Sequence, residues 1–260
     1  MATASAVEGR RSVLHTRGTW SAREDRTAFA VWLGVLWFGM FAGFGLDFHK
    51  YLAENPPPPT ILHVHAAVYT VWMLILTAQV TLVMRNRVSW HMKMGVFAAG
   101  WACLMAVLGP WAVMAWEAVH LSQPILPPQF LSVNIVDIGG FLALLAWGFT
   151  LRKNPAAHKR MMILATVSLA DPGFARLAGD ALNLHPVTPL EFFFRVFYGN
   201  VLLVAMMAGW DWWRGRLMRQ FVLGAAALLA AESVAAMLFF WAPWQAATLG
   251  WVQAWARHFG

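Results

Sequence analysis

The sequence holds a single cysteine, Cys103, in 260 residues. A lone thiol excludes an intrachain disulfide, a zinc ribbon and a cysteine-held iron–sulfur centre. Charge is scarce too: Asp, Glu, Lys and Arg together make up 12% of the chain, about half the share of a soluble domain. No lysine lies inside a long apolar run, so a retinal-type Schiff base has no amine to form on. The H-E-x-x-H pattern of zinc hydrolases is also missing. The first 26 residues are polar and Arg-rich, without the short apolar region and small-residue cleavage site of a signal peptide.

What the chain has in abundance is apolar sequence. Hydrophobic residues make up 60% and mean hydropathy is +0.56. They fall in blocks near the roughly 20-residue length needed to cross a hydrocarbon core. The expectation is an all-α integral membrane bundle of seven transmembrane helices, at 27–46, 61–84, 93–117, 129–151, 159–179, 190–212 and 217–241. A basic tail, 1–26, precedes this 27–241 domain, and a short Trp-rich tail, 242–260, follows it.

Lys and Arg gather in the tail and in "RNRVSWHMK", "RKNPAAHKR" and "RGRLMR", alternating with loops nearly free of them. Cytoplasmic loops carry that excess, which implies a cytoplasmic N-terminus, a periplasmic C-terminus and a bacterial inner membrane. The net charge of +7 is thus a matter of topology, and no nucleic-acid partner is expected. Gly39 and Gly43 form a small-xxx-small packing face on the first span. Gly109–Pro110 and Asp171–Gly173 should bend the third and fifth.

That topology gives the polar residues a common depth. His65, Asn134, Asp137, Asp171, Arg195 and Glu232, on five spans, all fall one to two turns or so below the outer surface. The inner half holds little beyond Thr77, Gln79 and Thr150. Ionisable groups in lipid are costly and mark sites or pathways, so a polar chamber is expected in the outer half. His63 and His65 point about 200° apart on a regular helix. His65 shares a face with Tyr69 and is the inward candidate, with His63 second.

Three readings of the chamber follow, beside a fourth, proton or solute movement, against which the nearly apolar inner half argues because it offers no continuous pathway. The charges pair internally, with Glu191 four residues before Arg195 as one example. Alternatively His65, Asp137, Asp171 and Glu232 ligate a transition metal such as Zn or Fe, lined by His63, Tyr69, Asn134 and Arg195. The third is haem b, which needs opposed histidines; His91 and His158 have the right alternation at the inner side. A cofactor implies redox or metal-dependent chemistry on a small or lipid-soluble substrate. Paired charges imply a non-catalytic subunit or assembly scaffold among other membrane subunits.

Two stretches carry a resemblance. "HVHAAVYTVWMLILTAQVTLVMRNRVSWHMKMG" (63–95) and "LRKNPAAHKRMMILATVSLAD" (151–171) resemble a bacterial family of uncharacterised multi-pass membrane proteins. "HAAVYTVW" also faintly resembles the helix of cytochrome b561-type bundles. The first resemblance implies a seven-span protein in which His65 and Asp171 recur; it implies no activity.

Overall fold

A computed structural model describes residues 22–122, 127–182 and 186–259, without the side chains of 22–24 and 178–182. Residues 1–21 of the basic tail and His185 lie outside these residues. Among the described residues there is no strand. The helices are α1 (Ala22–Leu52), α2 (Thr60–Met84), α3 (Val88–Val119), α4 (Leu131–Thr150), α5 (Pro155–Val167), α6 (Asp171–Leu182), α7 (Pro189–Trp213), α8 (Arg219–Phe239) and α9 (Ala242–Phe259).

Local chemistry sets the boundaries. α2 starts directly after Pro59 of the "PPPP" run, which cannot continue a helix. Asn154 caps α5 by accepting from Ala157 N (3.3 Å), and Thr188 caps α7 by accepting from Glu191 N (3.3 Å). In both, a proline follows at the first helical position, where its missing N–H is not needed. The turn between α7 and α8 passes through Gly215 at φ 62°, a conformation that favours glycine.

Among the described residues six helical segments are long and apolar enough to cross a membrane: Asp25–Leu52, Thr60–Met84, Val88–Val119, Pro128–Lys153, Pro189–Trp213 and Arg219–Phe239. The bundle is apolar on its outside as well as inside. Phe38, Phe41, Val96, Trp111 and Met237 stand exposed, as lipid-facing residues would. Leu36, Met105, Phe141, Met161, Leu203 and Phe221 fill the core.

The fifth expected span is not one helix. It is α5 and α6, of 13 and 12 residues, separated by a turn at Ser168–Ala170. Each is about 20 Å long or slightly less, short of the roughly 30 Å hydrocarbon core. Pro172 explains the break: it has no N–H to give Ser168's carbonyl, and its ring crowds that oxygen. α3, by contrast, runs uninterrupted through Gly109–Pro110. At one end of the pair Lys159 meets Asp25, near the start of α1. At the other Arg176 Nε lies 3.3 Å from Asp47 Oδ2, near the end of α1.

The glycine face of α1 does what its spacing predicts. A Cβ on Gly43 would collide with the backbone carbonyl of Gly173, and one on Gly39 with the ring of Phe174. These two positions let α6 lie directly on α1. Two tail expectations change. Asp25, assigned to the basic tail, is inside α1 and 1% exposed. The Trp-rich tail is helix α9, packed on α3 and the 128–130 turn, where Trp244 Nε1 donates to Gln129 O (2.9 Å).

Candidate functional site

Asp171 is the first residue of α6, delivered into the bundle by the helix break. Asp137 is on α4, about 9 Å along from its first residue, and Glu232 is about 10 Å short of the end of α8. All three are buried, with Asp137 at 7%, Asp171 at 1% and Glu232 at 0% exposure. The carboxyl groups of Asp137 and Asp171 stand within hydrogen-bond reach of each other, and Glu232 lies in electrostatic range of both.

Asn200 of α7 donates to Glu232 Oε1 (2.8 Å). Ser168 Oγ, in the break, donates to Ala165 O (2.7 Å) and to Asp137 O (3.3 Å). No lysine or arginine forms an ion pair with any of the three acids among the described residues. Asp137 Oδ1, Asp171 Oδ1, Glu232 Oε2 and Asn200 Oδ1 have no hydrogen-bond partner. Buried polar atoms are nearly always satisfied, so this concentration of orphans in one place marks it out.

The other expected site residues distribute around this core. His65 stacks on Tyr69, with ring centroids 4.0 Å apart, and its Nδ1 is buried without a partner. Tyr69 donates to Met105 O (3.2 Å) and is in electrostatic range of Asp137. His63 is exposed and its Nε2 meets Tyr51 OH (3.0 Å), away from the acids. Asn134 is half-buried and makes no side-chain hydrogen bond among the described residues. Arg195, also half-buried, has no ion pair there either. The expected Glu191–Arg195 bridge is not formed, because Glu191 Oε2 accepts from Val187 N (2.8 Å) at its own helix start. Asp171's neighbour Arg176 turns to Asp47 and to Pro172 O (2.8 Å).

A second charged cluster lies at the end that carries the basic loops, where the sequence suggested almost nothing buried. Arg160 of α5 is 1% exposed and grips Asp211 of α7 with two bonds, Nε–Oδ2 and Nη2–Oδ1, both 2.5 Å. Its Nη2 also reaches Asp25 Oδ1 (3.3 Å), and Nη1 donates to Ala156 O (2.9 Å). Lys159 donates to the other oxygen of Asp25, and Phe29 lies beneath both cations. Here two acids face two bases. Close by, the rings of His91 and His158 are 6.2 Å apart. His158 Nδ1 donates to Gly148 O (2.8 Å), and Gln79 holds His91 Nδ1.

Sequence reasoning missed Asn200, Asp25, Arg160 and Asp211. The signal was there for two of them: Asp25 and Asp211 are acids in otherwise basic inner segments, which is where a buried cation would need them. It also passed over Glu117-Ala-Val-His120, an E-x-x-H spacing at the outer end of α3. Among the described residues no group of three or more His, Cys, Asp or Glu side chains is arranged to hold a metal ion.

No family model matches the chain, and no curated protein or solved structure matches it. The likeness to a multi-pass bacterial family and to b561-type helices therefore remains one of short motifs; the described residues are all-α with six membrane-capable helices.

Proposed function

We propose that this is a seven-crossing protein of the bacterial inner membrane whose core binds protons on the Asp137–Asp171–Glu232 cluster, as part of moving or storing them. The crossing count treats α5 and α6 as one broken span. In its favour, their two ends reach opposite ends of α1 through Asp25 and Asp47. The basic loops then face the cytoplasm and the C-terminus the periplasm.

The single observation that carries the proton reading is the carboxyl pair. Asp137 and Asp171 are within hydrogen-bond reach, yet an ionised carboxylate only accepts. Two of them can bond only if one carries a proton, as in other carboxyl pairs that share a site. Broken helices bordering such sites are a recurring membrane device. A third acid beside the pair adds a further place for the proton, and among the described residues no base forms an ion pair with the cluster, Arg176 acting on Asp171 only at longer range.

A transition metal is the second reading, favoured by the orphaned oxygens and by His65. The donor set does not fit it well, because these residues are not gathered round one point among the described ones. Haem b has less support: His65 has no opposing histidine, and His91 accepts at Nδ1 from Gln79, which leaves its proton on the Nε2 that would have to ligate. A passive scaffold would be expected to pair its charges throughout, as the basic-end cluster does; the acid cluster departs from that.

Carbodiimide labelling of the protein in nanodiscs tests the assignment, since the reagent attacks protonated buried carboxyls. Labelling of Asp137, Asp171 or Glu232 that is lost as pH rises supports the proton site. Absence of labelling together with stoichiometric metal or a Soret band would replace it.

A further inference from the structure

His65 is a buried titratable side chain that the acid cluster leaves without a role. It is five residues into α2, about 7–8 Å below the outer start of that helix. The residue as a whole is half-buried, but its Nδ1 is sealed inside with no hydrogen-bond partner. The ring is held in place all the same, lying on Tyr69 with centroids 4.0 Å apart. Tyr69 in turn is fixed by its hydrogen bond to Met105 O (3.2 Å). α3 makes room for the phenol at Gly109, where a Cβ would strike its hydroxyl. A buried nitrogen left unsatisfied costs stability, so fixing the ring there calls for a reason.

Helix geometry sets His65 above the acids. In the proposed topology α2 and α4 both enter from the outer side, and they meet where Trp72 packs edge-on against Phe141, centroids 4.9 Å apart. Tyr69 is three residues above Trp72 and Asp137 four above Phe141, so the two stand within about 2 Å of the same height. They are also in electrostatic range of each other. His65 lies one further turn, about 6 Å, toward the outside. Tyr69 also borders a small cavity, with Trp72, Thr166, Leu169 and Ala170; the last two belong to the turn that leads into Asp171. Imidazole, phenol and carboxyl pair thus follow one another inward from the outer end.

No charged side chain pairs with the ring among the described residues. His63 turns to Tyr51, His120 faces Glu54, and Arg176 is engaged with Asp47. Below Tyr69 the same face of α2 continues with the buried Trp72 and Leu76, which have no proton to exchange.

We propose that His65 is the proton-exchange residue of the acid cluster, passing protons between the outer side and the Asp137–Asp171 pair. This rests on the reading of that pair as a proton site. An imidazole can take a proton at one nitrogen and release one from the other. Outer water protonates Nε2 to give the imidazolium. Nδ1 then gives up its proton inward, water carries it past Tyr69, and a carboxylate becomes a carboxylic acid. The imidazole is left as the Nε2–H tautomer, which outer water resets, and the reverse sequence releases the proton. Tyr69 acts as a positioning residue that holds the ring over this route.

The test is the rate at which the carboxylic-acid infrared band shifts after the protein in nanodiscs is moved rapidly into heavy water. The expected shift is at least tenfold slower in His65→Gln and His65→Ala than in the unmodified protein, with the band itself retained. Imidazole added to the medium should restore most of the rate in His65→Ala, which a purely structural role would not allow. Tyr69→Leu, which removes the stacked ring, should also slow the shift and keeps the test valid if the His65 variants do not fold. Exchange at the native rate in the variants, or slow exchange in His65→Ala that imidazole leaves unchanged, overturns the role of His65 alone. Absence of the band from the unmodified protein would overturn the proton site itself, and this role with it.

Discussion

The two buried charge clusters of this bundle are built on opposite rules. At the basic end, Arg160 and Lys159 meet Asp211 and Asp25, with bidentate geometry and an aromatic floor. Every charge there has an opposite partner. In the interior, Asp137, Asp171 and Glu232 meet one another, and among the described residues Asn200 is the side chain that donates to them. A buried pair broken on one side is strongly destabilising, so the first cluster is a clamp. A cluster of like groups with orphaned atoms stabilises nothing by pairing, so its retention argues for a job. The difference separates a structural use of buried charge from a functional one within one chain.

The largest expected effect breaks the clamp. Arg160→Met removes the bidentate partner of the buried Asp211 and one partner of Asp25, leaving Lys159 and the longer-range charge of Arg216, and should cost about 3–5 kcal/mol. Thermal unfolding in nanodiscs, or loss of folded protein on expression, reports it. Adding Asp211→Leu should restore much of the loss, because an apolar pair of similar volume is often no worse than the ion pair. A clamp whose double variant is as unstable as the single one would contradict this account.

Next is the approach that lets the broken helix lie on α1. Gly43→Ala drives a methyl into the Gly173 carbonyl, backbone against backbone, and overpacking of this kind costs about 1–3 kcal/mol. It should also disturb the acid cluster, since Gly173 is two residues from Asp171. A lowered melting temperature with altered carbodiimide labelling is the expected pair of results.

Substitution inside the acid cluster should go the other way. Asp171→Asn supplies the missing donor to Asp137 without a shared proton, so stability should change by about 1 kcal/mol or less. Proton uptake by the site should nevertheless fall, as measured by pH-indicator titration against the unmodified protein. The smallest effect concerns Arg195. Because Glu191 caps its own helix, the coupling between Glu191→Gln and Arg195→Ala in a double-mutant cycle should be near zero, within about 0.5 kcal/mol.

Much of this was legible in the sequence, for identifiable reasons. Span length and apolar composition are one-dimensional properties, so six of the spans could be read from run lengths. Gly39 and Gly43 were legible because small residues four apart can serve only close packing on such a helix. The convergence of Asp137, Asp171 and Glu232 followed from depth alone, because topology converts position along a helix into height in the bundle. The fifth span was misjudged as continuous: Asp171-Pro172-Gly173 signals a distortion, but bend and break differ in how neighbours replace the lost hydrogen bond, and a sequence does not show neighbours.

Rotation about the helix axis was the other illegible quantity. Depth placed Arg195 and Asn134 level with the acids, but neither pairs with them. His63 and His65 were separated correctly by the 100° step of the helix, yet where each pointed depended on Tyr51 and Tyr69. The clamp went unseen because charged residues at span ends normally mark topology. Arg160 and Asp211 do so while also being buried, a distinction that only tertiary packing makes.

Infrared difference spectroscopy of the protein in hydrated nanodiscs is the most direct test of the central claim. At neutral pH the account predicts a carbonyl band of protonated carboxylic acid that shifts in heavy water and is lost or displaced in Asp137→Asn and Asp171→Asn. A spectrum with only ionised carboxylates, unchanged by either substitution, would contradict it.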